Sequence, residues 1–337
     1  MLYVKAATIN MIRTTIIIPN YNGIKFLPDC IASLQKQTVG GFEILIVDNG
    51  SSDGSLEWIE QAAESDTGIR LISLPENKGF AGGVNEGLRA ADSEYVLLLN
   101  NDTVAEEDFV EQLEKSISRD DGIFAVSAQM IKASDHSLID SAGDGITWLG
   151  WAYQRGIDEK AELYQKECGV FSACAGAAIY RKKVLDEIGI FDEMHFAYLE
   201  DIDLSWRARL AGYRIIYSPA AKVYHLGSAT SGSKYNSFKV RLSSRNNIYL
   251  HYKNQPLLQL IINFIPLLLG ILGKAVFFKK KGYSKEYWDG IKEGLKNKNK
   301  CNRAPAARKG LITYLYIEWM MIAGLAEYTV SFLKRHL

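Results

Sequence analysis

Apolar residues in the first third of the chain alternate between two spacings. Short apolar runs, each long enough for one buried strand, occur at residues 14–19, 42–48, 69–74 and 95–100. Between these runs, apolar residues recur every three or four positions, which is typical of helices that pack one face on a sheet. Strands that alternate with helices in this way indicate βαβ units. We therefore predict an α/β fold with a parallel sheet.

The middle of the chain is less regular but still patterned. Residues 138–155 predict a hairpin, and residues 172–181 predict a buried loop followed by a strand. Residues 199–211 have the spacing of an amphipathic helix, and residues 213–225 predict a strand and loop that end at His225. Sheets of this kind bind ligands at the carboxyl ends of their strands. Polar residues at those ends are therefore the first candidates for a site.

The chain changes character at about residue 256. Residues 257–278 and 311–333 are strongly apolar, and each segment is near the length needed to span a bilayer. Between them, residues 279–309 hold about eleven Lys and Arg against about three acidic residues. This pattern predicts a helical, basic and apolar region over residues 256–337.

We expect this C-terminal region to bind a membrane surface. A single span by residues 257–278 would place the basic stretch across the membrane from the rest of the chain, against the positive-inside rule. Basic residues beside apolar helices favour an anionic leaflet. The expectation is a peripheral protein on the cytoplasmic, inner face of the cell membrane, and truncation after about Gln255 should give a more soluble fragment. The alternative is that both segments simply pack on the rest of the chain.

Composition adds three constraints. Lys+Arg and Asp+Glu are both 39, so net charge gives no argument for nucleic acid as a partner. The four cysteines form no C-x-x-C pair and suggest neither a zinc site nor a disulfide framework, which fits a reducing, cytoplasmic compartment. Residues 1–13 lack the features of a signal peptide, and we predict that they form an N-terminal arm.

Asn100, Asn101 and Asp102 directly follow an apolar strand. A carboxylate in this place can hold a divalent ion against a pyrophosphate, because Mg²⁺ and Mn²⁺ prefer oxygen ligands. The alternative is that Asp102 caps a helix that begins near Ala105. These residues alone favour neither interpretation.

Two further polar segments follow strands or open helices. Asp48 begins the stretch DNGSSDG, where a carboxylate can accept the imide N–H of uracil or thymine, although the same residues also make ordinary turns. Residues 77–83 bring glycines to a helix N-terminus, which is a potential anion site. Each pattern is weak by itself.

Three acids, Glu200, Asp201 and Asp203, occupy the first turn of a predicted helix. One of them can act as a general base towards an acceptor hydroxyl. The alternative is favourable pairing of the acids with the helix dipole. His225 is either a buried, hydrogen-bonded histidine or a metal ligand.

As an ordered set, these segments resemble the family 2 glycosyltransferases with the GT-A fold. The similarity is closest to the branch often labelled rhamnosyltransferases of cell-surface polysaccharide assembly. The matching stretches are IIIPNYNG, ILIVDNGSSDGS, NKGFAGGVNEGL, YVLLLNNDT, CAGAAIYRKKVLDEIGIFDEMHFAYLEDIDLSWRARLAGYRI and VYHLGSAT. They lie within about residues 14–250. The implied fold is a Rossmann-like, mostly parallel sheet flanked by helices, with a membrane-associating helical appendage.

The resemblance implies a group of donor-binding residues. Those implied to line the nucleotide base and ribose are Pro19, Tyr21 and Asp48. Those implied to lie around the rest of the donor are Asn77, Gly79, Asn85 and Asn101. A tight wall near the donor sugar is implied for Gly176 and Ala177.

The resemblance also implies the metal ligands and the base. The N-N-D motif stands where the family carries its D-x-D metal motif, so Asp102 is the implied ligand of Mg²⁺ or Mn²⁺, together with His225. Asp201 matches the catalytic base of the family's E-D motif. Glu200 and Asp203 are implied to support this base or to touch the acceptor.

The implied catalytic domain covers residues 14–255. Its halves are a nucleotide-binding part over 14–102 and an acceptor-binding part over 103–255. The implied reaction is inverting transfer of a sugar, with rhamnose among the candidates, from a dTDP- or UDP-sugar to a hydroxyl of a glycan or lipid-linked acceptor. Alternatives are a polyprenyl-phosphate sugar transferase, a nucleotidyltransferase and an inactive sugar-nucleotide-binding protein.

Overall fold

The structure, a computed structural model, describes residues 12–226 and 235–336. Residues 1–11 of the expected arm lie outside these ranges, and so does the end of the VYHLGSAT motif. The described residues form a ten-stranded sheet, a separate two-stranded sheet and helices that cover both.

The first four strands follow the apolar runs of the sequence. They are β1 (Thr14–Asn20), β2 (Phe42–Asp48), β3 (Ile69–Ser73) and β4 (Tyr95–Leu99). The helices that connect them are α1 (Leu27–Leu34), α2 (Ser55–Ser65) and α3 (Gly79–Ala90). All four strands are parallel, in the order β3-β2-β1-β4. Their polar carboxyl ends therefore meet at one edge of the sheet.

The second half of the sheet is mixed rather than parallel. Its strands are β5 (Thr103–Ala105), β6 (Ile123–Lys132), β7 (Asp135–Ser141), β10 (Cys168–Gly169), β11 (Ala177–Arg181) and β12 (Arg214–His225). The separate hairpin pairs β8 (Asp144–Ile146) with β9 (Ala152–Gln154). β11 runs antiparallel between β4 and β6. The expectation of a mostly parallel sheet holds for the first half only.

Three helices flank this second half. They are α4 (Phe109–Ile117), α5 (Lys182–Ile188) and α6 (Glu200–Leu210). Short 3-10 turns occur at Ala161–Tyr164, Glu193–His195 and Lys298–Lys300. Every residue of α6 except Asp201 is buried, so the expected amphipathic helix is instead a core helix.

The predicted helix near Ala105 is wrong. Residues Thr103–Ala105 form β5, which pairs antiparallel with the last residues of β12, and the helix begins only at Phe109. Tertiary strand pairing overrides the local preference for a cap at this point. The interpretation of Asp102 as a helix cap is therefore excluded.

The C-terminal region is helical, as expected. It follows α7 (Ser237–Asn254) and contains α8 (Leu257–Ile262), α9 (Phe264–Lys280), α10 (Ser284–Asn297) and α11 (Leu311–His336). Within residues 12–226 and 235–336, no helix combines the length and apolar character that crossing a bilayer requires.

The C-terminal helices share a hydrophobic core with α6. Ile317 and Met321 of α11 are buried in one cluster with Ile202 and Trp206 of α6. The region is therefore not a loosely attached appendage. Truncation after Gln255 removes part of this core, so we no longer expect it to give a more soluble fragment.

Candidate active site

Hydrogen bonds join the polar ends of three parallel strands. Asn20 at the end of β1 donates through Nδ2 to Oδ1 of Asp48 at the end of β2, over 2.9 Å. Asn101, after β4, donates to Oδ1 of Asn20 over 2.7 Å. The second carboxylate oxygen of Asp48 accepts from the backbone N–H of Ser51. This network fixes the edge of the sheet at which ligands bind in such folds.

Asp102 and His225 lie side by side at the same edge. The antiparallel register of β5 and β12 places His225 opposite Thr103, the residue that follows Asp102. His225 Nε2 is 3.2 Å from Asp102 Oδ1, and His225 Nδ1 is 2.8 Å from Asp140 Oδ2. Strand pairing thus brings together two residues that are far apart in the chain.

This pair fits a divalent cation. The carboxylate of Asp102 and one ring nitrogen of His225 are close enough to bind the same ion. The carboxylate of Asp140 contacts the other ring nitrogen. Such an outer carboxylate is a common partner of metal-bound histidines. Burial lowers the pKa of His225, but its hydrogen bonds to Asp102 and Asp140 outweigh this effect and raise the pKa to about 9. The two acidic neighbours thus favour positive charge at this point.

Asp201 is the least buried of the three acids at the start of α6. Glu200 and Asp203 are buried, whereas Asp201 is only partly buried. Burial raises the pKa of Asp201 above that of an ordinary aspartate. Burial and the nearby charge of Asp201 raise the pKa of Glu200 to about 8. A partly accessible carboxyl with a raised pKa is a better proton acceptor than an ordinary aspartate.

Asp144 and Cys174 lie beside Asp201. One ligand atom of each of the three residues falls within 4.8 Å of the others, so the group has the composition of a metal site. Burial raises the pKa of the Cys174 thiol, which keeps it protonated, and Mg²⁺ and Mn²⁺ prefer oxygen ligands. We therefore interpret the group as the surroundings of the Asp201 carboxyl rather than as a metal site. Burial first, and then the charge of Asp201, raises the pKa of Asp144.

Asp203 forms an ion-pair cluster in the core. Its carboxylate accepts hydrogen bonds from Arg207 Nε at 3.0 Å, Lys253 Nζ at 2.9 Å and Asn254 Nδ2 at 2.8 Å. The side chain has no exposed surface, so it cannot touch an acceptor. Of the two roles implied for Asp203, contact with the acceptor is therefore excluded, and support of the proposed base remains a prediction.

The loop before α6 has an unusual backbone. Phe196, Tyr198 and Leu199 all have φ between 61° and 73°, a conformation that residues other than glycine rarely adopt. Nδ2 of Asn246 in α7 lies within 2.9 Å of the carbonyl oxygens of residues 195, 197 and 198. These contacts hold the loop in its strained conformation. α6 therefore begins at a position fixed by α7.

The donor-side glycine turn is held by asparagines. Asn77 Oδ1 accepts from the N–H of Gly79, and Asn49 donates to the Gly79 carbonyl and accepts from the N–H of Lys78. Gly79 has φ of 76°, and a side chain there would collide with the backbone of Phe196. Asn77 and Gly79 thus shape the turn before α3, next to the loop that leads to the base.

Two predicted donor contacts are corrected by burial. Asn85 is buried, and it exchanges hydrogen bonds with the backbone of Phe191 while also donating to Glu193. Ala177 is fully buried in the sheet core. Neither side chain faces the cleft, because the motifs that contain them supply packing as well as binding residues.

The remaining donor-side predictions are compatible with the structure. Tyr21, directly after β1, is exposed, and Pro19, the residue before Asn20 in β1, is half-buried. Gly176 accepts a backbone hydrogen bond from Asn100, and a Cβ atom there would lie 3.0 Å from the Asn100 side chain. Gly176 is therefore closely packed against Asn100, which is compatible with the wall that the resemblance implies.

Several site residues had escaped the sequence analysis. They are Asn20, Asn49, Asp140, Asp144 and Asn246. Asn20 and Asn49 directly adjoin predicted strand ends, so their position was a usable signal. The other three depend on contacts between distant segments, and no local pattern identifies them.

Solved structures share this fold. GalNAc-T7 with UDP, GalNAc and Mn²⁺ matches at a TM-score of 0.58 and 15% identity, covering 72% of this chain and 48% of that one. Staphylococcus aureus TarS 1–349 with UDP matches at 0.54 and 17%, covering 93% and 89%. The mannosyltransferase PcManGT from Pyrobaculum calidifontis, with GDP-Man and Mn²⁺, matches at 0.52 and 18%, covering 95% and 87%. The fold is therefore of the GT-A class.

Sequence comparisons give the family. The model of glycosyl transferase family 2 matches residues 15–189, more than half of the chain, so the chain belongs to this family. Poly-β-1,6-N-acetyl-D-glucosamine synthase of Staphylococcus aureus (strain COL) is 26% identical over 219 residues, which are 65% of this chain and 51% of the relative. The Staphylococcus epidermidis synthase is 26% identical over 213 residues, 63% and 49% of the two chains. The chain spans about half the length of these curated relatives.

Proposed function

We propose that the chain is an inverting, metal-dependent glycosyltransferase that moves a sugar from a nucleotide-diphosphate sugar to a hydroxyl. The observation that carries this proposal is the link between the Asp102–His225 pair and Asp201 through neighbouring acids. Asp140 binds His225, and the charges of Asp140 and Asp201 both act on the carboxyl of Asp144. A cation site and a base that share Asp144 as a neighbour suit a reaction that separates a diphosphate from a sugar.

Asp201 is the proposed general base. The acceptor oxygen attacks the anomeric carbon on the face opposite the nucleotide, its proton passes to Asp201, and the bond to the diphosphate breaks with its electron pair on the leaving oxygen. A single displacement inverts the anomeric centre and needs no nucleophile from the protein. The strained loop before α6 fixes where this carboxylate stands.

Asp102 and His225 are the proposed cation ligands, and Asp140 orients His225. When bound, Mg²⁺ or Mn²⁺ supplies positive charge that neutralises the departing nucleotide diphosphate. Asp48, Asn20 and Asn101 hold the strand ends that face the nucleotide, with Tyr21 and Pro19 at the base and ribose.

Two donors come first in the proposal. The resemblance to the rhamnosyltransferase-like branch favours a dTDP-rhamnose donor. The names of the staphylococcal relatives favour a donor of N-acetylglucosamine. The acceptor is proposed to be a hydroxyl of a glycan or lipid-linked saccharide.

The test is a donor screen with the purified full-length chain. Release of nucleotide from dTDP-, UDP- and GDP-sugars is measured with Mg²⁺ or Mn²⁺, with EDTA, and with Asp102→Ala. We expect release from one nucleotide class only, lost in EDTA and in the variant. A saccharide and a polyprenyl phosphate are compared as acceptors. Full release in EDTA, or release from no donor, contradicts the proposal.

We also propose that the chain works as a peripheral protein on the inner face of the cell membrane. The support is the exposed apolar surface of the C-terminal helices and the basic stretch beside it. In this location the cleft would lie near lipid-linked acceptors.

A further inference from the structure

The C-terminal helices present apolar side chains to the outside. Along α8, α9 and the first half of α11, the large apolar residues that face outward are between 39% and 70% exposed. Representative members of this apolar face are Leu258, Ile261, Ile265, Leu272, Leu315 and Trp319. Contiguous exposed apolar surface on this scale marks an interaction site rather than ordinary protein surface.

Three uncharged or acidic polar side chains of these helices point inward instead. Gln259 and Asn263 are buried, and both donate hydrogen bonds to Glu318 of α11, over 2.7 and 2.9 Å. Asn263 also accepts from the indole N–H of Trp148. At α8 and its junction with α9, the packed side is thus polar and the exposed side is apolar. α11 differs, because it buries Ile317 and Met321 while other apolar side chains of the same helix stay exposed.

Glycines fix which side faces the protein. A Cβ at Gly270 of α9 would lie 1.9 Å from the carbonyl oxygen of Leu149, and one at Gly324 of α11 would lie 2.3 Å from that of Ile146. Both helices therefore press their glycines on the segment that contains the β8–β9 hairpin. Because they cover the same segment and meet at Glu318, their outward faces adjoin.

We propose that the apolar face is a docking surface for an anionic lipid membrane, which it enters from one side without spanning it. The basic residues at its edge select this occupant over a second copy of the chain. Lys279, Lys280 and Lys281 end α9 and are all exposed. A lysine cluster beside an apolar face complements anionic headgroups above an acyl layer. Two copies of the face would bring these like charges together.

The β8–β9 hairpin connects the docking surface to the proposed acceptor site. The hairpin covered by α9 and α11 carries Asp144, which neighbours the base Asp201. A membrane bound at the apolar face would hold a lipid-linked acceptor near this base. This orientation of the acceptor rests on the proposed catalytic function, whereas the binding of lipid to the apolar face does not.

Vesicle flotation of the full-length chain tests the docking surface. We expect binding to vesicles of phosphatidylcholine with phosphatidylglycerol, and weaker binding to phosphatidylcholine alone. The double variant Ile261→Glu/Ile265→Glu should lower binding by more than about tenfold, because it puts charge into the acyl boundary. The matched control is Ile12→Glu/Leu163→Glu, which alters exposed apolar residues outside the C-terminal helices and should bind as the parent does.

A second variant separates the charge contribution. Lys279→Gln/Lys280→Gln/Lys281→Gln should weaken binding to anionic vesicles by about a hundredfold and leave binding to neutral vesicles unchanged. The control Lys36→Gln/Lys160→Gln/Lys166→Gln removes the same charge from exposed lysines elsewhere. Equal losses in both triple variants would overturn the assignment of the lysines to this surface.

Two readouts distinguish the competing outcomes. Light scattering of the lipid-free chain reports self-association. A dimer that Ile261→Glu/Ile265→Glu dissociates, without vesicle binding by the parent, overturns the proposal in favour of a second copy. Metal-dependent nucleotide release without vesicles reports the catalytic proposal by itself. Release that persists in a chain that binds no vesicle overturns the docking surface alone, and vesicle binding without release overturns only the catalytic role.

Discussion

Asp201 and Asp203 lie on the same turn of α6, yet their surroundings are opposite. Asp203 faces the core, where the charges of Arg207 and Lys253 overcome the effect of burial and hold its pKa far below the ordinary value. Asp201 faces the cleft, beside the carboxyl of Asp144, and burial raises its pKa. The same side chain is therefore a permanent anion at one position and a potential proton acceptor at the other.

The contrast between Asp201 and Asp203 shows that a motif does not define the role of each acid within it. The sequence E-D-I-D places three carboxyls within one turn of helix, and any of them satisfies the resemblance as a base. The cations of α6 and α7 pair with Asp203 and lower its pKa. Within the described part of the chain, their absence around Asp201 is what makes the two acids different. Five measurements test this comparison.

Asp201→Asn should have the largest effect on activity. We expect turnover to fall by about 10²–10⁴-fold, the usual contribution of a positioned base, while donor binding changes only a few-fold. Single-turnover kinetics and donor titration measure the two quantities. Near-normal turnover in a folded variant would remove Asp201 from the mechanism.

Asp203→Ala should act on stability instead. Removing one member of a buried ion pair leaves Arg207 and Lys253 without their shared partner, and we expect a loss of about 3 kcal/mol or more in the free energy of unfolding. Urea denaturation measures this change, and Asp92→Ala is the exposed control, expected within about 0.5 kcal/mol of the parent. A stable but inactive Asp203→Ala chain would reverse the comparison.

The same acid predicts a pH dependence of stability. Because the pKa of Asp203 is lower in the folded chain than its ordinary value of 3.8, its contribution is fully present above that value. It is lost as the pH falls below about 4, towards the folded pKa. Denaturation of the parent between pH 6 and 3 should show this loss, and Asp203→Ala should lack it.

Asp140→Asn should have an intermediate effect on the cation site. Asp140 resembles Asp203 in having a nitrogen partner, but the partner is His225, which an amide can no longer orient in the same way. We expect Mn²⁺ affinity to fall by about 10–100-fold, as for other outer partners of metal-bound histidines. Electron paramagnetic resonance of free Mn²⁺ measures it, with the exposed Asp135→Asn on the same strand as control. Unchanged affinity would separate Asp140 from the site.

The smallest expected effect is a displaced acid limb of the activity profile. Since burial raises the pKa of Asp201, turnover should decline at a pH above the ordinary 3.8 of an aspartate as the base becomes protonated. The profile of turnover against pH measures the limb. In the folded fraction of the Asp203→Ala chain, the acid limb should stay at the same pH. A shift of the limb in that variant would show that the two acids are not independent.

Much of the fold could be predicted from the sequence. The apolar runs fix β1 to β4 because each is a buried strand with polar ends, and the helices between them have clear spacing. β5 could not be predicted, since three residues form a strand only through their pairing with β12. The outward orientation of Ile261 and Ile265 was also hidden, because hydropathy records apolar residues without recording which side they cover.

The candidate site was predictable in part and for a similar reason. Asp102, His225 and Asp201 stand in ordered motifs, whereas Asp140, Asp144 and Asn246 act through contacts that the motifs do not contain. For Asn85 the opposite happened, because a motif predicted a donor contact that the structure does not support. Its buried side chain instead forms hydrogen bonds with the segment 191–193.

The pairing of β5 with β12 has a consequence for the order of folding. Asn20 and Asp48 belong to neighbouring strands that can associate early, but Asp102 meets His225 only after β6, β11 and β12 have joined the sheet. Contacts between such distant segments form late. A chain that is still being synthesised can therefore complete the edge that holds Asn20 and Asp48 before it forms the proposed cation site. Acquisition of Mn²⁺ affinity during refolding would mark the moment at which the last strand closes the sheet.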